Sequence, residues 1–148
     1  MKHRLPIFAA ALWWGSLTAI GFMAVPMLFA NLPAASMAGF MAAKLFAAQT
    51  WMSIACCLAL LLLAKDKGAA ELTAWAQAAI GFVIAGMLFA LVVQYGISPK
   101  IVARQNLKLW HGVGTAMYAL QWLCAAIVLW RVSTPSASMA PIKPASAD

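Results

Sequence analysis

Residues 45–64 read LFAAQTWMSIACCLALLLLA, an uncharged run of twenty residues between Lys44 and Lys65. A helix that crosses the hydrocarbon core of a bilayer needs about 20 predominantly apolar residues. Three further uncharged windows, at 5–43, 72–99 and 109–130, reach the same length. The distribution of charge therefore predicts a chain that crosses a membrane several times.

The composition supports the same class. The chain has 148 residues, of which 66% are hydrophobic and 9% are charged, whereas an ordinary soluble domain is roughly half apolar and about a quarter charged. So few charges cannot cover the surface of a soluble fold, and disorder requires low hydrophobicity. Both classes are excluded, and a lipid bilayer is the expected partner. The length allows four spans but no large globular domain.

The boundaries of the helices follow from turn signals. Window 5–43 is too long for one span, and the Asn31-Leu32-Pro33 sequence inside it is typical of a turn. Pro99 is expected to end or kink the third helix. We predict an all-α, polytopic, four-transmembrane-helix bundle with short loops, formed by residues 1–131, with helices at about 5–30, 33–64, 72–98 and 100–131. Residues 132–148 are rich in Pro, Ser and Ala and are predicted to be a disordered tail. No internal repeat is evident.

Lysine and arginine residues indicate the orientation, because cytoplasmic loops carry an excess of them. If the N-terminus is inside, the cytoplasmic side holds six: Lys2, Arg4, Lys65, Lys67, Arg131 and Lys143. The other side holds four: Lys44, Lys100, Arg104 and Lys108. We therefore expect a multi-pass inner-membrane protein with both termini in the cytoplasm.

The four cations on the outer side have no acidic neighbour in the sequence. If the fourth helix begins at Lys100, a rotation of 100° per residue places its cations, His111 and Tyr118 within an arc of about 80°. Lys44 is predicted near the same end of the second helix. Such a cleft would suit an anion such as a lipid phosphate or a carboxylate. The candidate ligand-binding residues are Lys44, Lys100, Arg104, Lys108, His111 and Tyr118. Alternatively, the lysines and arginine simply reach the headgroups.

Catalytic chemistry has little support in the sequence. No predicted span contains a carboxylate, which excludes paired-acid chemistry and a Ser/His/Asp arrangement. Cys56, Cys57 and Cys124 form neither a redox nor a zinc motif. An enzyme is not the favoured interpretation, no catalytic residue is assigned and no cofactor is expected. His111 is the one residue inside the bundle that could ligate a metal or haem. The net charge of +7 is spread over membrane edges, so no nucleic-acid partner is expected.

Three glycines and one proline are candidates for shaping how the helices pack. Gly15, Gly39 and Gly112 each have a small residue four positions away, a spacing that lets helix backbones approach closely. Pro26 is expected to kink the first helix, because proline lacks an N–H group and frees a carbonyl.

Several short motifs point to a known family. Residues 13–18 read WWGSLT and are followed by Gly21-Phe22, Val25-Pro26 and Lys44-Leu45-Phe46; the second half contains Ser98-Pro99-Lys100-Ile101, Arg104 and Trp110-His111-Gly112. These motifs resemble the bacterial domain-of-unknown-function 4149 family of transmembrane protein 205-like integral membrane proteins. The resemblance implies a four-helix protein of the bacterial cell inner membrane without an established activity.

Three hypotheses about function remain open at this point. In the first, the cationic cleft binds an anionic lipid or amphiphile, or stabilises a partner. In the second, the protein is a haem- or porphyrin-linked redox protein with His111 as ligand. In the third, it is a subunit of a small-solute or metal exporter, which would require a homo-oligomer because four short helices enclose little volume.

Overall fold

The computed structural model describes residues 4–65 and 72–134, and within these ranges the chain forms four long helices. They are α1 (Leu5–Asn31), α2 (Ala35–Leu63), α3 (Ala74–Val102) and α4 (Leu107–Ser133). With a rise of 1.5 Å per residue, each is about 40 Å long, which exceeds the roughly 30 Å of a hydrocarbon core. The described residues contain no β-strand. The predicted all-α four-helix membrane bundle is confirmed.

The helices pack as a ring in which α1 and α3 each contact both α2 and α4. Short turns join α1 to α2 and α3 to α4, so these pairs are antiparallel hairpins. Between the hairpins, the backbone N–H of Thr73 donates to the carbonyl of Ala64 at 2.9 Å. Both hairpin turns therefore lie at one end of the bundle, called here the turn end (residues 32–34 and 103–106). The start of α1 and the end of α4 lie at the opposite, terminal end.

The bundle has an apolar core and an apolar outer surface. Trp13 and Leu17 of α1 pack in the core with Leu60, Val83 and Val128, one from each remaining helix. Large apolar side chains also point outward, and the two most exposed are Leu62 (83%) and Trp130 (75%). A helix that is apolar on all sides is typical of a membrane span. Lipid would cover the surface that the protein leaves exposed.

Two helices contain a π-helical segment next to a proline. In α1 the segment is Ala19–Ala24, and in α3 it is Val92–Ile97. Pro26 and Pro99 follow two residues after the respective segments. Proline removes one backbone donor and its ring crowds the carbonyl four residues earlier, and a wider turn relieves both effects. The distortion expected at Pro26 therefore takes the form of a π segment.

The two hairpins repeat one design, although no repeat is evident in the sequence. In each, a helix with a π segment and a proline leads through a short turn into a long regular helix. Gln49 is the fifteenth residue of α2 and Gln121 is the fifteenth of α4, and both are buried. This is the pattern of two parallel repeats related by an axis along the membrane normal. The likeness between the two hairpins lies in their backbone geometry and in the positions of these residues, and it is accompanied by little residue identity.

The predicted helix boundaries need correction at the third connection and at the start of the second helix. Pro99 does not end the third helix, because the π segment before it accommodates the proline and α3 continues to Val102. Lys100 therefore belongs to α3, and α4 begins at Leu107 instead of 100. The second helix begins at Ala35 rather than 33, because Ala34 is extended. Residues 66–71 and 135–148, which include most of the predicted tail, lie outside the described residues.

Candidate functional site

The turn between α3 and α4 positions the cations of the turn end. The backbone N–H of Arg104 donates to the carbonyl of Ile101, and that of Gln105 donates to Lys100, both at 3.0 Å. This pair of bonds is the Schellman motif, which places the residue after the C-cap in the left-handed region. Arg104 occupies that position with φ 55°, where glycine is usual. The motif reverses the chain and leaves the Arg104 side chain exposed.

Asn106 starts α4 immediately after this turn. Its backbone is also left-handed, with φ 35°, and its side-chain oxygen accepts from the backbone N–H of Leu109 at 3.4 Å. Asparagine suits both demands, because it tolerates the left-handed region and caps free N–H groups. The cap fixes where α4 begins and hence which face Lys108 occupies.

Two of the predicted cations lie against aromatic rings. The ammonium of Lys100 lies 3.8 Å from the centre of a Trp110 ring, which ties the end of α3 to the start of α4. The ammonium of Lys44 lies 4.6 Å from the centre of the Phe40 ring. Lys44 is about 14 Å along α2 from its first residue, and Phe40 is one turn closer to the turn end. The Lys44 side chain thus runs back toward the turn end, as a lysine does when it reaches for the headgroups.

A shallow open groove lies along the first three turns of α4. Its volume is about 540 Å³, and it is lined by Asn106, Lys108, Leu109, Gly112, Val113 and Ala116. The spacing of these residues by three and four places them on one helix face. The polar residues lie near the turn end and the apolar ones deeper. The groove can therefore accept a molecule with an anionic head and an apolar chain. Of the six predicted ligand-binding residues, Lys108 is the one that lines it.

His111 and Tyr118 do not lie in the groove with Lys108. His111 is exposed on α4 and is not among the residues that line the groove. Tyr118 points into the bundle, where its hydroxyl donates to the carbonyl of Leu17 at 2.8 Å. Its ring lies edge-on to Phe46, with 5.2 Å between the ring centres. The predicted continuous stripe is divided because the turn at 103–106 resets the helical phase between Lys100 and Lys108.

The predicted packing glycines do not make close helix contacts within the described residues. A Cβ atom on Gly15, Gly39 or Gly112 would meet nothing within 4 Å. Gly112 instead forms part of the groove. The close approaches occur at Gly21 and Gly86, where a Cβ would come within 2.5 Å of Tyr118 and 2.6 Å of Trp13. The predicted mechanism, small residues admitting a neighbour, applies at different positions.

A second polar region, which the sequence did not single out, lies inside the bundle. It consists of Gln49 and Ser53 of α2, Gln121 of α4 and Ser16 of α1, and is called here the central polar cluster. Nearby, the indole N–H of Trp122 donates to the Thr18 hydroxyl at 2.9 Å. The sequence signal for this cluster is the occurrence of uncharged polar residues inside the four uncharged windows.

Together, the apolar exterior, the four long helices and the cationic turn end define a multi-pass membrane protein. The family described as "Domain of unknown function (DUF4149)" matches residues 8–110. The chain therefore belongs to the DUF4149 family, as the sequence motifs predicted. No curated protein and no solved structure matched the chain.

Proposed function

We propose that this membrane protein binds the headgroup of an anionic lipid, or of another anionic amphiphile, in the groove at the start of α4. The observation that carries the proposal is the order of the lining residues. Asn106 and Lys108 lie at the end nearer the turn, while Leu109, Val113 and Ala116 provide apolar contacts. A phosphate would meet the ammonium and the amide, and an acyl chain would follow the apolar residues toward the bilayer centre.

The positive charge at the turn end favours the binding of an anion. Lys44, Lys100 and Arg104 belong to the same end as Lys108, and the described residues contain no Asp or Glu that could neutralise them. A basic residue near an anionic membrane surface contributes about 1 kcal/mol of attraction. The ammonium of Lys100 is held against Trp110, which leaves Lys108 as the cation of the groove itself.

The competing interpretation is that each cation contacts headgroups independently. Long basic side chains at helix ends do this commonly, and such contacts would not depend on the groove. The two interpretations differ in location. A groove site predicts that Lys108 matters more than an equally exposed cation on the same helix. Arg131, exposed in the last turn of α4 at the terminal end, provides that comparison.

Native mass spectrometry of the protein in mild detergent tests the proposal. Phosphatidylglycerol is added at a fixed ratio, and the bound fraction is compared with that of phosphatidylcholine. We expect preferential retention of phosphatidylglycerol by the wild-type protein. The Lys108→Gln variant should weaken retention about fivefold, the equivalent of about 1 kcal/mol, and Arg131→Gln should leave it unchanged.

Two outcomes would contradict the groove. One is equal retention of the two lipids by the wild-type protein, and the other is an equal loss in the two variants. Soluble glycerol phosphate, added as a competitor, tests whether the site recognises the phosphate alone or also the acyl chains of the lipid. Displacement of the lipid by millimolar competitor would indicate a site for the phosphate alone, whereas resistance would indicate that the acyl chains also bind.

The haem and exporter hypotheses remain predictions. Haem ligation by His111 gains no support from its surroundings, because its side chain is exposed on α4 and Gly112 and Thr115 beside it are exposed too. These residues do not form a pocket that would enclose a flat macrocycle. The exporter hypothesis depends on a homo-oligomer, and no feature of the described surface favours one.

A further inference from the structure

Arg104 occupies a backbone position that favours glycine. It follows the C-cap of α3, and its φ of 55° lies in the left-handed region. A residue with a Cβ atom is strained in this region, because the Cβ lies too close to the carbonyl oxygen that follows it. Glycine would relieve the strain and keep the backbone N–H that donates to Ile101. The turn would therefore be more stable without this arginine.

The Arg104 side chain finds no acidic partner in the part of the chain that the structure describes. It is exposed, and residues 4–65 and 72–134 contain no Asp or Glu. The ammonium groups of Lys44 and Lys100, by contrast, lie against aromatic rings. Strained residues are concentrated at functional sites, where the strain is tolerated for the sake of a contact. Arg104 is thus a candidate for direct contact with a ligand.

Stabilisation of the end of α3 is the competing explanation for this arginine. A cation near a helix C-terminus interacts favourably with the helix dipole and with the last carbonyls. Lys100 already provides a basic residue in the last turn of this segment. The carbonyls of Pro99, Lys100 and Ile101 accept from backbone N–H groups of residues 103–105. The end of α3 is therefore satisfied without the Arg104 side chain.

The turn that carries Arg104 forms the polar end of the groove. Asn106, two residues further along, lines the groove together with Lys108. The Cα atoms of Arg104 and Asn106 are at most about 7 Å apart, a distance that the long arginine side chain can span. Side chains of a helix lean toward its N-terminus, so Lys108 extends back toward the same turn. A guanidinium and an ammonium can thus meet one ligand there.

Two cations without an acidic neighbour favour a ligand of higher charge. A phosphodiester headgroup carries a single negative charge, which Lys108 alone can balance. A phosphomonoester carries about −1.5 to −2 at pH 7 and has three strong acceptor oxygens. These oxygens can accept two parallel hydrogen bonds from the guanidinium of Arg104 and one from the ammonium of Lys108. The pair of cations therefore matches a phosphomonoester.

We propose that the groove recognises a phosphomonoester headgroup, and that Arg104 is the residue that selects it over a phosphodiester. This inference rests on the proposed function of the groove and adds the chemical class of its ligand. Replacement of Arg104 by glycine should therefore have two opposite effects. The turn gains stability, and the groove loses its selectivity.

Competition between two lipids with identical acyl chains tests the proposal. The full-length protein in mild detergent receives phosphatidic acid, a phosphomonoester, and phosphatidylglycerol, a phosphodiester, in equal amounts at neutral pH. Native mass spectrometry measures the ratio of the two bound forms. We expect the wild-type protein to retain about fivefold more phosphatidic acid, the ratio that one additional basic contact gives. The Arg104→Gly variant should lose this preference.

Matched variants separate the guanidinium from the backbone strain. Arg104→Gln keeps the Cβ atom and should lose the preference without gaining stability. Arg104→Gly should unfold at a higher concentration of sodium dodecyl sulfate than Arg104→Gln, so that damage to the fold cannot explain its lost preference. Lys44→Gln removes another exposed cation from the turn end and should leave the ratio unchanged.

The outcomes distinguish this inference from the proposed function. Equal retention of the two lipids would overturn the phosphomonoester assignment, yet preference for both over phosphatidylcholine would keep the groove as an anion site. No preference over phosphatidylcholine would reject the groove itself. An unchanged ratio in Arg104→Gly, or an equal loss in Lys44→Gln, would overturn the role of Arg104. Stronger retention of diphosphatidylglycerol, whose charges belong to two phosphodiesters, would overturn the assignment as well.

Glycerol phosphate presents the same phosphomonoester without acyl chains. Its displacement of bound phosphatidic acid from the wild-type protein, but not from Arg104→Gln, would support a soluble phosphomonoester as the ligand. Resistance to displacement, together with the expected preference, would support the lipid.

Discussion

Gly86 of α3 lies under the indole ring of Trp13, and this contact predicts the cost of a single methyl group. A Cβ at Gly86 would be 2.6 Å and 2.7 Å from two carbon atoms of the indole and 3.4 Å from Cβ of Cys124. Contacts below 3.0 Å do not occur without movement. Trp13 is 0% exposed and its ring is rigid, so it has no flexible end that could turn away. We therefore predict that Gly86→Ala destabilises the bundle.

The size of the effect follows from two opposing contributions. Insertion of an extra methyl group into a packed core costs about 1–3 kcal/mol, and the rigid ring favours the upper half of that range. Replacing glycine by alanine in a helix gains up to about 1 kcal/mol. The expected net loss is about 1–2 kcal/mol in the free energy of unfolding.

Unfolding of detergent-solubilised protein by increasing amounts of sodium dodecyl sulfate, followed by circular dichroism, would measure this loss. Gly81→Ala is the matched control, because Gly81 lies on the same helix, is exposed and has nothing within 4 Å of its Cβ position. It should be neutral or stabilising. In the Gly86→Ala background, Trp13→Phe should restore part of the loss, giving a favourable coupling energy. Equal stability of the Gly86→Ala and Gly81→Ala proteins would refute the packing described.

Two further predictions concern α1 and the orientation of the chain. Gly21→Ala should destabilise the bundle by about 1–2 kcal/mol by the same reasoning, because its Cβ would lie 2.5 Å from the Tyr118 ring and would displace the hydroxyl from the Leu17 carbonyl. Gly15→Ala, with nothing within 4 Å, is its control in the same assay, and matching losses would contradict the contact. The chain is also proposed to lie in the bacterial inner membrane with both termini in the cytoplasm. Alkaline phosphatase fused after the last residue should then be inactive, and green fluorescent protein fused there should be fluorescent. The opposite pair of results would reverse the proposed orientation.

The spans could be predicted from the sequence because membrane thickness imposes a length that charged residues interrupt. Windows 45–64 and 109–130 contain no charge; window 109–130 lies within α4, and all of window 45–64 except its last residue lies within α2. The cationic stripe was harder to predict, because placing Lys100 and Lys108 on one face assumes an unbroken helix between them. Pro99 suggested a break on the wrong side of Lys100. The π segment that absorbs this proline depends on hydrogen bonding several residues earlier, which residue type alone does not specify.

The inward face of each helix could not be predicted for a related reason. In a soluble helix, the contrast between apolar and polar residues identifies the buried side, but these helices are apolar all round. The informative residues are then the few uncharged polar ones. Ser16, Gln49, Ser53 and Gln121 all meet inside the bundle, since lipid offers them no hydrogen-bond partner. A helical projection phased on these residues, rather than on hydrophobicity, would have placed the core correctly.

Charge and neutral polarity thus have different roles along these helices. The long side chains of the cations at the turn end can reach water and headgroups, so these residues can lie on helix faces that contact lipid. The amides at the centre cannot reach water by extending, and they must find partners inside the protein. Loss of Lys108 should therefore weaken lipid retention without destabilising the bundle, whereas loss of Gln49 should destabilise the bundle, because Ser16 and Ser53 would lose a hydrogen-bond donor. The two measurements are therefore independent of each other.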